Sequence, residues 1–400
     1  MRGHRALTAV AALVIGAAGA LVAAPTPAGA APACATDEPP QPPATVSWAR
    51  QRLRPERVAA LADGRGVTVA VIDSGVDATH RQLAGRVLRG ANFLDGGADG
   101  RRDCVGHGTA VASLIAAAPA EGVAVRGLAP AVKILPVRVS EQLLIDGKLQ
   151  GENVGPGEFG AAIRWAVDHG AKVINLSVVL IRDEPAVRSA IEYARAADVV
   201  VVAAAGNAHA ENNPDPYPAS YDGVLGVGAI GADGVRQEYS QVGDYVDVVA
   251  PGGDVPVAWP GGYHVRSGTS YAAPIVAATA ALIRQYQPEL SADDVVRRII
   301  ATADPAPGGA HSPAYGSGVV NPPRAVTEAV AGAAPVRARP LAAVEPDPAA
   351  AAAQERRQSS RHRAMLLAAC GAGVAVLVLL LALVLPRGMR RRWRPAEPAA

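Results

Sequence analysis

Net charge, aromatic rings and cysteine are all scarce in this chain. Lysine and arginine number 38 against 36 acidic residues, a formal net charge of +2. With that balance, and with no basic stripe interleaved with aromatics, there is no footprint for nucleic acid. Aromatic residues make up 4% of the chain, while alanine, glycine and valine abound. That composition fits close helix–sheet packing rather than a ring-lined binding surface. No internal repeat and no acidic calcium loop is visible, so neither a metal nor a cofactor is expected. What remains is 400 residues, 50% of them hydrophobic, enough to bury a large core.

Two apolar runs stand apart from the rest. Near the N-terminus, Arg2 and Arg5 precede the apolar stretch Ala6 to Ala24 and the small-residue site Ala28-Gly29-Ala30. This is the pattern of an export signal, residues 1–30. Ala31-Pro32-Ala33 before Cys34 offers a second cleavage site, with lipidation of Cys34 as the alternative fate of that cysteine. The second run, Ala364 to Leu385, carries no charge and suits a bilayer-spanning helix. Arginines flank it on both sides, Arg361 and Arg363 before and Arg387 and Arg390 to Arg392 after. Loop charge therefore does not orient it, and the export signal does, leaving residues 386–400 as a cytoplasmic tail. A buried core helix is the competing reading of this run.

Of the three cysteines, Cys370 lies within the second run, which leaves Cys34 and Cys104 outside. An exported pair is expected to bond, tying the N-terminal arm to the loop before His107. Closing that loop contributes about 4 kcal/mol in the chain-entropy account. Two free thiols are the alternative.

Between the runs the chain alternates. Residues 31–60 form an arm, Pro-rich at first and partly helical from Trp48. Val67 to Ile72 is a β-branched run read as a buried parallel strand, and it leads straight into Asp73-Ser74-Gly75. Strands are expected at Val132 to Val139, Lys172 to Leu176, Val199 to Ala204, Val224 to Ile230 and Tyr245 to Val249. Helices are expected after His107, over Phe159 to His169, over Glu184 to Ala197, after Ser270 and over Ala292 to Ala303. Ser140 to Gly157 reads as a polar surface loop. This alternation predicts one α/β domain over residues 61–331 with a mostly parallel sheet. Residues 332–363 are Ala/Pro-rich and read as a linker.

Four polar residues occupy chemically suggestive places. Asp73 ends a central strand, where α/β folds put functional groups. His107 is freed on both sides by Gly106 and Gly108 and heads a small-residue helix. Ser270, in Ser267-Gly-Thr-Ser-Tyr-Ala-Ala-Pro274, starts an apolar helix, where free N–H groups and the helix dipole favour negative charge. Asn207 follows Ala205-Gly206 at a strand end. Each has a bland reading: turn aspartate, structural histidine, N-cap serine, turn asparagine. Together they supply what a serine nucleophile needs. A histidine acts as base, an aspartate fixes its tautomer, and an amide faces the developing oxyanion. His80 and His264 are the other histidines weighed as base; His80 reads as a packing or loop residue.

The order Asp, His, Ser within Val-Ile-Asp-Ser-Gly-Val, Gly-His-Gly-Thr-Ala-Val-Ala and Gly-Thr-Ser-Tyr-Ala-Ala-Pro resembles the subtilisin-like serine proteases. The likeness spans roughly residues 50–330. It implies a three-layer α/β fold with a seven-stranded, mostly parallel sheet, catalytic Asp73, His107 and Ser270, and Asn207 in the oxyanion hole. By the same likeness Ser177, Val178 and Gly206 line the substrate cleft. The signal, the cysteine before the histidine and the single C-terminal span are similar to the mycosins, membrane-anchored subtilases that accompany type VII secretion systems. That resemblance implies a polypeptide substrate, a secretion membrane complex as partner, and an extracytoplasmic catalytic domain.

Two departures from the family pattern stand out. Val178-Val179 follows Ser177 where many subtilases carry glycine, which predicts small residues on the acyl side of the scissile bond. No removable folded pro-domain fits between Ala30 and Val67. The rival readings are a stabilising subunit of a membrane assembly and a surface protease unrelated to secretion. An esterase is disfavoured because no Gly-x-Ser-x-Gly elbow surrounds Ser270.

Overall fold

The computed structural model describes residues 45–97, 99–145, 148–307 and 311–330, together with Leu385 and Pro386. The export signal, the start of the arm with Cys34, the linker, Cys370 and the apolar run up to Val384 lie outside the described residues. No helix among the described residues is long and apolar enough to cross a membrane.

Helix α1 (Trp48–Leu53) opens on Ser47, whose Oγ accepts from the Arg50 N–H. Strand β1 (Thr68–Asp73) follows, then the short β2 (Ala91–Asn92), helix α2 (His107–Ala116) and β3 (Lys133–Arg138). The expected loop after β3 instead holds a hairpin, β4 (Leu143–Ile145) and β5 (Lys148–Gln150), and the first turn of α3 (Pro156–Asp168). Pro156 sits at the head of α3, where its missing N–H costs nothing. Next come β6 (Val173–Leu176), α4 (Pro185–Ala196), β7 (Val200–Ala204) and β8 (Val224–Ile230). Strand β9 is Val248–Pro251, shifted from the expected Tyr245–Val249. Asp247 is drawn instead into backbone bonds with Gly226 and the return at Ser317. A second hairpin, β10 (Val255–Trp259) and β11 (Gly262–Arg266), precedes α5 (Thr269–Tyr286). Helices α6 (Ala292–Ala301) and α7 (Pro322–Thr327) close the domain.

The main sheet has seven strands in the order β2-β3-β1-β6-β7-β8-β9. All its pairings are parallel, with Asp73 opposite Arg138 and Leu176 opposite Ala203. Alternation along each strand feeds two cores. Val69 and Val71 face α2, α5 and α6, whereas Ala70 and Ile72 face α3 and α4. Helices thus cover both faces, as buried parallel strands require. Alanines at Ala272, Ala273, Ala277, Ala280 and Ala281 let α5 run buried along the sheet. In the sheet order β1 has β3 and β2 on one side and β6 to β9 on the other. Asp73 is its last residue, at the carboxyl edge where such sheets carry ligands.

Candidate active site

Asp73 is 2% exposed. Its Oδ1 accepts from the Ser74 N–H at 2.7 Å and from His107 Nδ1 at 2.7 Å. The side chain of His107 is 26% exposed, open enough for a substrate to reach its other nitrogen. Its backbone begins α2, and Gly106 before it has φ +80°, a left-handed conformation that suits glycine.

The histidine's loop is pinned by Asp103, a residue not singled out from the sequence. Its Oδ1 accepts from Ser74 Oγ and from the N–H groups of Val105 and Gly106. Its Oδ2 accepts from the N–H and hydroxyl of Thr109. Ser74 Oγ in turn accepts from the Gly108 N–H. A buried carboxylate thereby fixes the turn on both sides of His107. Burial pushes the Asp103 carboxyl up to about 6, with bonds from Thr109 and Gly106 opposing and the nearby Asp73 adding to the rise. For His107, burial pulls the imidazole pKa down. The charge of Asp73, its hydrogen bond and the charge of Asp103 outweigh that pull and hold it above the ordinary 6.5. The signal for Asp103 was its spacing, Asp-x-x-Gly before the histidine, which is a turn aspartate's pattern.

Ser270 lies in the first turn of α5 and is 9% exposed. Pro274, four residues on, has no N–H, so the Ser270 carbonyl lacks its normal intrahelical partner. Ser177 supplies one: its Oγ donates to the Ser270 carbonyl at 3.0 Å and accepts from Asn175 Nδ2 at 2.9 Å. Ser270 Oγ donates back to the Ser177 carbonyl at 3.4 Å. Ser177 is therefore a cross-tie from the end of β6 to the head of α5. Among the described residues no hydrogen bond joins Ser270 Oγ to His107. The next residue, Tyr271, stands beside the imidazole with ring centroids 5.6 Å apart. Such bonds are commonly loose before substrate arrives and tighten in the complex.

Asn207 is exposed at the end of β7. Its Oδ1 accepts from both the N–H and the hydroxyl of Thr269, each at 2.9 Å. With the oxygen held inward, the amide nitrogen is the end left to donate. Gly206 has φ +90°, and a Cβ there would lie 2.0 Å from Gln241 Oε1. Thr269, which orients Asn207, is another residue the sequence did not flag; its place between Gly268 and Ser270 was the available signal.

Val178 is half-buried against the α3–α4 core and Val179 against the α5 core. His80 is 7% exposed and its Nε2 contacts the Gly262 carbonyl at 3.2 Å, the packing role expected of it. Cys34, the partner expected for Cys104, lies outside the described residues. Among the described residues, no three His, Cys, Asp or Glu side chains converge as metal ligands.

Residues 64–318 match the Subtilase family, peptidase S8. Subtilisin DY of Bacillus licheniformis is 35% identical over 284 residues, 69% of this chain and 97% of that protein. Mycosin-4 of Mycobacterium tuberculosis is 38% identical over 329 residues, 71% of each chain. The crystal structure of MycP1 with its N-terminal propeptide removed superposes with a TM-score of 0.62 at 31% identity, covering 72% of this chain and 99% of that one. The MycP3 protease from the type VII (ESX-3) secretion system gives 0.62 at 29% identity, covering 73% and 92%. The chain is a subtilisin-like serine peptidase, a member of the subtilase family that resembles the mycosins.

Proposed function

We propose that this chain is a membrane-anchored, extracytoplasmic serine endopeptidase that works through Asp73, His107 and Ser270 and serves a type VII secretion system. The 2.7 Å contact between Asp73 Oδ1 and His107 Nδ1, beside the head of α5, carries the reading. In it, His107 Nδ1–H donates to Asp73, which leaves Nε2 unprotonated and able to take the Ser270 hydroxyl proton. Ser270 Oγ attacks the peptide carbonyl and forms a tetrahedral oxyanion, which gives the acyl-enzyme once the C–N bond breaks. The imidazolium then passes its proton to the departing amine, and water repeats the sequence in reverse. Asn207 Nδ2 and the Ser270 N–H, at the positive end of α5, would hold the oxyanion.

Supporting the secretion role are the likeness to mycosin-4 and to the MycP3 protease of a type VII system. Supporting the anchor are the signal pattern over residues 1–30 and the apolar run Ala364 to Leu385. We pair Cys34 with Cys104, so that the arm stays attached near His107. Ser177, Val178 and Gly206 line the acyl side of the cleft, and the branched Val178 restricts it to alanine-sized residues. A peptide library dominated by large aromatic residues at that position would contradict the restriction.

Labelling the purified chain with a serine-reactive phosphonate, wild type beside Ser270→Ala, tests the peptidase reading. Label on the wild type and none on the variant is expected; equal labelling, or none on either, rejects it. Comparing Ser270→Ala with full deletion then separates catalysis from scaffolding in secretion.

A further inference from the structure

One cation beside this site is unspent. Among the described residues, Arg266 makes no ion pair and no hydrogen bond, and its Nε is buried without a partner. Its guanidinium carbon lies 4.3 Å from the centroid of the Trp259 ring, stacked on the opposite strand of the β10–β11 hairpin. Trp259 itself closes over Gly106, where a Cβ would come within 2.2 Å of the indole. The hairpin packs on α2 through Val255 and Val257 against Ala110 and Leu114, with Tyr271 of α5 in the same cluster. Arg266 therefore sits on the histidine's flank of Ser270, while Asn207 and Thr269 hold the other. It is near enough for its charge to bear on both His107 and Tyr271.

That placement has a cost. A fixed positive charge beside the base disfavours the imidazolium that catalysis must form. A buried guanidinium N–H without an acceptor is also unfavourable. Stacking on Trp259 alone would account for the packing but leaves the guanidinium without an acceptor among the described residues. A guanidinium resting over a ring keeps its planar fork free to meet a carboxylate through two parallel bonds. The group that protonates the departing amine faces the segment after the scissile bond, and Arg266 is on its side.

We propose that Arg266 selects substrates with an aspartate or glutamate in the first two positions after the scissile bond. The inference rests on the peptidase reading above and specifies the substrate of that same site. In the Michaelis complex the carboxylate takes the donors of Arg266 and neutralises the charge next to His107, so the imidazolium forms more readily. Acidic substrates therefore gain in kcat as well as in KM.

The test uses the full chain and internally quenched peptides with amidated C-termini, identical except for Asp, Asn or Lys after the scissile bond. The ratio of kcat/KM for Asp over Asn is expected to be about ten-fold in the wild type, the worth of one charge-assisted bond. It should fall at high ionic strength. Arg266→Gln should bring the ratio near one, Arg266→Lys should restore part of it, and Arg266→Glu should favour Lys over Asp. A wild-type ratio near one overturns the proposal, whatever the variants do. So does a ratio that survives in Arg266→Gln. Peptides ending in a free carboxylate two residues after the bond form a further arm. If they alone are preferred, the site takes chain ends and the side-chain proposal fails. Phosphonate labelling of every variant keeps the two readings apart, because loss of labelling in the wild type would condemn the peptidase reading instead.

Discussion

Asn207 is oriented by a single residue: both donors of Thr269 fall on its Oδ1. Replacing it by aspartate keeps that acceptor, removes the outward N–H and puts a carboxylate where the oxyanion would form. Asn207→Asp should therefore lower kcat by about a hundred- to a thousand-fold with little change in KM, read from initial rates on one peptide. A proportional loss in KM would mean the amide binds substrate rather than the oxyanion. His107 gives a second prediction at this scale. Its pKa is lowered by burial but raised more by Asp73 and Asp103, so it ends above 6.5. In the proposed mechanism the base works when neutral, so the acid limb of kcat/KM should lie above that value. Asp73→Asn should move the limb to lower pH and cut kcat about ten-thousand-fold; an unmoved limb would mean that another group titrates. Asp73, His107, Asn207 and Ser270 could be picked out as candidates because glycines and strand ends mark them locally. Asp103 was missed although its bonds are also local, because a turn aspartate looks alike whether or not it steadies a base. Ser177 and Thr269 act across separations of 93 and 62 residues, which no local pattern encodes.

Helix α2 is where local sequence and tertiary contact meet most tightly. A Cβ on Gly108 would lie 2.0 Å from the Gly75 carbonyl oxygen, a backbone atom in the turn after β1. The two segments that carry His107 and Asp73 touch there with no side chain between them. Gly108→Ala should cost about 1–3 kcal/mol of stability and abolish phosphonate labelling. Chemical denaturation and the probe together check this, and a stable, labelled variant would show that the turns can part without harm to the site. Helix α5 depends on Ser177 in a comparable way, since Pro274 leaves the Ser270 carbonyl to it. The β10–β11 hairpin was overlooked even though Pro260-Gly261 lies between two alternating runs, a turn signal in its own right. Its Trp259 and Tyr263 gain meaning only against Gly106 and His80, contacts that arise after folding.

At the scale of the molecule, the layering follows from composition. Short β-branched strands need cover on both faces, and alanine-rich helices fit closely enough to give it. This is why parallel sense and helix positions could be anticipated from the residues, whereas the seven-strand count came only from the family resemblance and strand ends drifted where a buried carboxylate took over the backbone. Asp247, just before β9, is such a case. Its carboxylate accepts from the Gly226 N–H at 2.8 Å. Burial pushes it up to about 6 from 3.8, with the Gly226 bond and the charge of His311 opposing. The folded chain thus holds this proton more tightly than the unfolded chain does. Stability should then be highest with Asp247 protonated, fall as pH rises from 3.8, and reach its full penalty above about 6. Asp247→Asn keeps an acceptor for Gly226 and removes the charge. Its melting temperature should exceed that of the wild type by about 2–4 °C at neutral to alkaline pH, and the gap should close as the acid range is entered. Calorimetry across that range decides it. A gap that is the same at every pH would mean that the substitution acts through packing and that the buried charge at Asp247 does not limit the stability of the sheet's edge.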